Sequence, residues 1–94
     1  MKKYKLVVQN TFKKSYKKLP KLIQKALRKK LGVLIENPFH VSLRTKINHK
    51  WTKFLKVKSF ESSINMNYRI IWIFDKIKNN IIILIATGNH KIVE

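Results

Sequence analysis

Cysteine is absent from this 94-residue chain, so neither a disulfide framework nor a thiolate zinc site holds it together. A core of ordinary apolar side chains must do so. Acids are scarce as well: Asp and Glu number 4 against 22 Lys and Arg, a formal charge of +18. Four carboxylates spread along the chain give a carboxylate-held metal site almost no material, and no metal or cofactor is expected. The two glycines, Gly32 and Gly88, stand 56 residues apart, which excludes a glycine-rich phosphate loop. No apolar run approaches the roughly 18 residues of a membrane helix. The strongly apolar stretch Ile81 to Ala86 has strand length. The basic start Met1, Lys2, Lys3 resembles that of a signal peptide, but the run Leu6 to Val8 falls far short of a secretory core of ~7–15 residues. No membrane segment is expected, and a cytoplasmic location is.

What is present suffices to fold. At 45% hydrophobic, with two Gly and two Pro, the chain is too apolar for a disordered basic tail. Its length fits a single domain over residues 1–94. The charge is uneven. Residues 1–50 carry 15 Lys and Arg against Glu36 alone, a net +14, whereas residues 51–94 carry 7 against Glu61, Asp75 and Glu94, a net +4. So basic a domain repels itself and points to a polyanion or an acidic partner. An AT-rich genome would inflate the lysines but would not explain the shortage of acids.

The hydrophobic pattern predicts two helices and four strands. Lys3 to Gln9 alternates around Tyr4, Leu6 and Val8 as a strand. Asn10 or Thr11 can cap a helix that puts Phe12, Tyr16 and Leu19 on one face and Lys13, Lys14, Lys17 and Lys18 on the other. Pro20 suits the first turn of a second helix with Ile23, Leu27, Leu31, Leu34 and Ile35 along its stripe. Gly32 within it implies close packing against a neighbour, and Asn37-Pro38 ends it. Residues 39–58 show no period and read as a long irregular basic connection. Strands follow at Phe60 to Asn65, Tyr68 to Asp75 and Ile81 to Thr87, joined by a tight turn at Met66-Asn67, where Asn tolerates positive φ, and a turn over 76–80. The order is β-α-α-β-β-β: an α+β domain with a helical hairpin on a mostly antiparallel sheet.

The chemistry left to such a chain is narrow. Ser59, Ser62 and Ser63 lack a triad context. Three histidines (His40, His49, His90), the strand arginine Arg69 and a basic connection suit RNA cleavage through the substrate's own 2′-hydroxyl. That reaction needs a proton-transfer group near neutrality and a cation at the phosphate. Arg69 is equally readable as a structural arginine paired with Asp75 or Glu61. Lys53, Lys56 and Lys58 read first as a solvated face and second as phosphate contacts. Trp51 and Trp72 read as core or interface residues before stacking platforms.

Three segments carry a family resemblance: NPFHVSLRTK at 37–46, SSINMNYRIIW at 62–72 and IILIATGNH at 82–90. They resemble the RelE/ParE toxin superfamily, and within it the mRNA-interferase branch of YafQ and YoeB type. The resemblance implies the toxin of a type II toxin–antitoxin system: a ribosome-dependent mRNA endoribonuclease neutralised by an acidic antitoxin. It implies His90 as general base or acid and Arg69 as the group at the scissile phosphate. Lys46 stands where relatives carry a loop histidine, and Lys56, Lys58 or His49 would replace lysines that relatives carry on the first strand of the hairpin sheet. With Asn89 beside His90 these are the expected substrate-binding residues. Relatives often continue His-Asp-x-Val-Tyr; here the sequence reads His90-Lys91-Ile92-Val93-Glu94. Two other readings stand beside this one: a non-catalytic ParE-like toxin that inhibits DNA gyrase, and a basic nucleic-acid-binding module.

Overall fold

A computed structural model of the chain describes residues 3–78 and 80–94. Met1 and Lys2 of the basic start and Asn79 of the expected turn lie outside them. The elements run β1 (Lys5–Val8), α1 (Asn10–Lys17), α2 (Lys21–Glu36), a 3-10 turn (Val41–Leu43), β2 (Lys46–Ile47), α3 (His49–Leu55), β3 (Phe60–Ser63), β4 (Tyr68–Phe74), β5 (Ile81–Asn89) and a C-terminal 3-10 turn (His90–Val93). The sheet order is β1-β5-β4-β3-β2. Every pairing is antiparallel except that of β1 with β5. The α+β class, the helical hairpin and the mostly antiparallel sheet agree with the sequence reading.

The two faces of the sheet have different covers. On one, Ile70, Trp72, Ile82 and Leu84 are fully buried and cluster with Phe12, Leu19, Leu27 and Leu34 of the hairpin. The predicted helical stripes are thus what packs on the β-branched strands. Trp72 is core: its ring stacks on Phe60 with centroids 4.7 Å apart, and its indole N–H donates to Ser62 Oγ at 2.8 Å. On the opposite face α3 and the C-terminal turn lie over Glu61 and Gly88.

Four local expectations are corrected. Residues 39–58 are not irregular, since they hold β2 and α3, and Asn48 caps α3 by accepting the Trp51 N–H at 2.8 Å. Helix α1 has no side-chain cap; Thr11 Oγ1 donates instead to Ile85 O at 2.6 Å. That carbonyl is freed because Ile85 is the extra residue of a β-bulge opposite Ile71 and Trp72, so the hydroxyl is needed there more than at the helix start. Asn67 does not adopt positive φ. The turn closes through Asn65 Oδ1, which accepts the N–H groups of Asn67 and Tyr68; among the described residues the left-handed ones are Arg44 and Lys56. Gly32 is not closely packed: it is exposed, and a Cβ there meets nothing within 4 Å. With ordinary helical backbone and free space, Gly32→Ala is expected to raise stability by about 1 kcal/mol in chemical denaturation.

Candidate active site

Arg69 stands near the start of β4, in register with Ser63 on β3 and Gly88 on β5. Its side chain is 20% exposed, and its Nε lies 3.7 Å from Glu61 Oε2. Its Nη1 donates to the carbonyls of Asn65 (2.8 Å), Met66 (3.0 Å) and Tyr68 (3.1 Å). Of the two acids open to it, Arg69 therefore takes Glu61 and also braces the β3–β4 turn. Asp75 lies at the far end of β4. Its Oδ2 accepts the backbone N–H of Lys78 at 2.9 Å and of Ile77 at 3.1 Å, and these bonds, Lys78 first, hold its carboxyl below the ordinary carboxylate value.

Glu61 is buried, and so is Asn48 beside it. Asn48 Nδ2 donates to Glu61 Oε1 at 3.0 Å and to Val93 O at 3.2 Å. The Trp51 indole N–H donates to Ile92 O at 2.6 Å. Two side chains from the start of α3 thus grip the C-terminal turn. At the other end of that turn the His90 N–H donates to Asn67 O at 2.7 Å, and Asn89 Oδ1 accepts the Lys91 N–H at 3.0 Å. The His90 side chain is 52% exposed, with Nε2 3.9 Å from Glu94 Oε2.

The fold brings His90 and Arg69 to one corner, because His90 is bonded to the same 65–68 turn that the Arg69 guanidinium braces. Lys46 and His49 meet elsewhere, in a cleft of about 400 Å³ with Asn48, Lys50 and Glu61. Lys56 is the left-handed residue ending α3, and with Lys58 it stays exposed beyond that cleft. Asn89 caps the turn that carries His90. Sequence reasoning missed Lys18: the end of α1 places it in a groove of about 310 Å³ with Gly88, Asn89 and Ile92. It missed Asn48 as well, although Asn is a preferred N-cap residue. Among the described residues no group of three or more His, Cys, Asp or Glu could hold a metal ion. What the corner offers is an exposed imidazole on a backbone that rests on the turn braced by a guanidinium.

No protein-family model matches the sequence, and comparison with curated proteins gives no match. Solved structures do match. The chain is similar to a chain of the toxin–antitoxin complex RelBE2 from Mycobacterium tuberculosis, with TM-score 0.74 and 19% identity over 96% of this chain and 94% of that one. It is similar to a chain of the archaeal RelE–RelB complex from Pyrococcus horikoshii OT3, with TM-score 0.70 and 13% identity over 93% and 94%. The chain has the RelE fold. A copper-bound mutant toxin from Helicobacter pylori also shares it, with TM-score 0.62 and 18% identity over 97% of this chain and 99% of that one. At these identities the RelE likeness is one of fold. It covers 93–97% of this chain.

Two stability outcomes follow from this geometry. Arg69→Ala strands the buried Glu61 carboxylate and frees three carbonyls, for an expected loss of about 3 kcal/mol in urea denaturation. His90→Ala, at an exposed side chain, is expected to stay within about 0.5 kcal/mol of wild type. Asp75 gives the pH dependence. Its folded pKa is depressed, so its contribution is present above the ordinary carboxylate range and fades as pH falls through the folded value. Denaturation of wild type and Asp75→Ala across that acid range should show a stability gap at neutral pH that closes at the acid end.

Proposed function

We propose that this protein is the toxin of a toxin–antitoxin pair and that it cleaves mRNA on the ribosome in the cytoplasm. The observation that carries the reading is an exposed His90 side chain on a RelE fold, with its backbone bonded to the turn that Arg69 braces. In the proposed reaction the 2′-oxygen bonds to phosphorus as the bond to the 5′-oxygen breaks. His90 takes the 2′-hydroxyl proton or gives one to the leaving 5′-oxygen, and Arg69 attracts the charge gathering on the phosphate. Lys18 at the neighbouring groove, with Lys46 and His49 in the cleft beyond Glu61, would hold RNA phosphates.

The antitoxin would be acidic and amphipathic. Between β1, α1 and α2 runs an apolar groove of about 350 Å³, lined by Val8, Phe12, Tyr16, Leu27 and Leu31 and edged by Lys13, Lys17 and Arg28. An acidic helix or strand matches both its floor and its rim.

One observation favours a second reading. The Arg69 guanidinium is already engaged by Glu61 and three carbonyls, as a structural arginine would be, and this suits a ParE-like toxin that inhibits DNA gyrase without cleaving RNA. Induction of wild type and His90→Ala with mapping of mRNA 5′ ends separates the two. New 5′ ends that fall by about 100-fold or more in His90→Ala are expected. Growth arrest that survives His90→Ala, with transcripts intact, favours the gyrase reading.

A further inference from the structure

Gly88 lies inside β5, yet its backbone is not left-handed; no described glycine has positive φ. Conformational freedom therefore does not explain it. Space does: a Cβ at Gly88 would lie 2.8 Å from Ile92 Cγ2, well inside contact distance. The missing side chain is a seat, and Ile92 of the C-terminal turn occupies it. The backbone around Ile92 is anchored too, by the Trp51 indole on Ile92 O at 2.6 Å and the Asn48 amide on Val93 O at 3.2 Å. His90 stands two residues before Ile92, and its own N–H is fixed to Asn67 O.

We propose that Gly88, Asn48 and Trp51 are positioning residues that seat the C-terminal turn and thereby fix His90 against the 65–68 turn that Arg69 braces. This rests on the reading of His90 as the proton-transfer group. Each member of Gly88-Asn89-His90 then has a physical role. The first makes room for Ile92, the second caps the turn through Lys91 N–H, and the third presents its imidazole. Helix α3 has a role too, since its N-cap and first turn supply the two anchors. A displacement of about 1 Å at a proton-transfer group costs on the order of 100-fold in rate, so a seat of this kind matters to chemistry more than to folding.

The test is a suppressor pair read two ways. Gly88→Ala pushes against Ile92 and is expected to lower mRNA cleavage at saturating substrate about tenfold or more, with KM unchanged. Ile92→Ala removes both atoms that the new methyl would meet, so Gly88→Ala with Ile92→Ala should cleave faster than Gly88→Ala alone. In parallel, the Trp51 indole N–H resonance should shift and exchange faster in Gly88→Ala and return toward wild type in the double variant. A wild-type rate in Gly88→Ala, or a double variant no faster than the single, overturns the proposal. If the wild-type protein cuts no RNA, the nuclease reading fails by itself. The indole resonance then still decides the seat: restoration in the double variant supports it, and an indole unmoved by Gly88→Ala refutes it.

Discussion

Glu61 is a carboxylate under the sheet surface of a protein that carries +18, and the geometry of the candidate site depends on how it is paired. One oxygen faces Arg69 Nε, and the other accepts from Asn48. Through Arg69 it reaches the 65–68 turn on which the His90 backbone rests; through Asn48 it reaches α3 and the carbonyl of Val93. β3, β4, α3 and the C-terminal turn are thus joined by one fully partnered network. A buried charge with both oxygens engaged is tolerable, whereas the same charge with either partner removed is not. That asymmetry ties the four elements to one another at the corner.

The rest of the charge serves other ends. The lysines of α1 and α2 face outward around an apolar core, and the surface they make is suited to a polyanion and to an acidic partner. Lys18 lies at the end of α1, on the rim of the groove beside Asn89.

Much of this is legible in the sequence. Phe12, Leu19, Leu27 and Leu34 are readable as core by helical spacing, and the β4–β5 hairpin by its Ile-rich runs. Sheet order and the parallel pairing of β1 with β5 are not, because period alone says nothing about neighbours. The stretch 39–58 hides α3, whose seven residues are too few to show a stripe, and the cap at Asn48 is its only mark. Thr11 looks like a cap but serves a bulge carbonyl 74 residues away, a need that no local window contains. Gly32 reads as a packing glycine, yet the glycine that makes room is Gly88, where the neighbour is the chain's own terminal turn. His90 and Arg69 can be picked out by residue type and resemblance. That Arg69 is bound to Glu61 rather than Asp75 depends on strand register.

If the corner at His90 acts on RNA, it does so through the 2′-hydroxyl of its substrate. The direct measurement is cleavage of a ribosome-bound mRNA against the same mRNA carrying a single 2′-deoxynucleotide at the cut position. A cut is expected in the first, leaving the phosphate at the 3′ end of the upstream fragment, and none in the second. Equal cutting of both would contradict this chemistry.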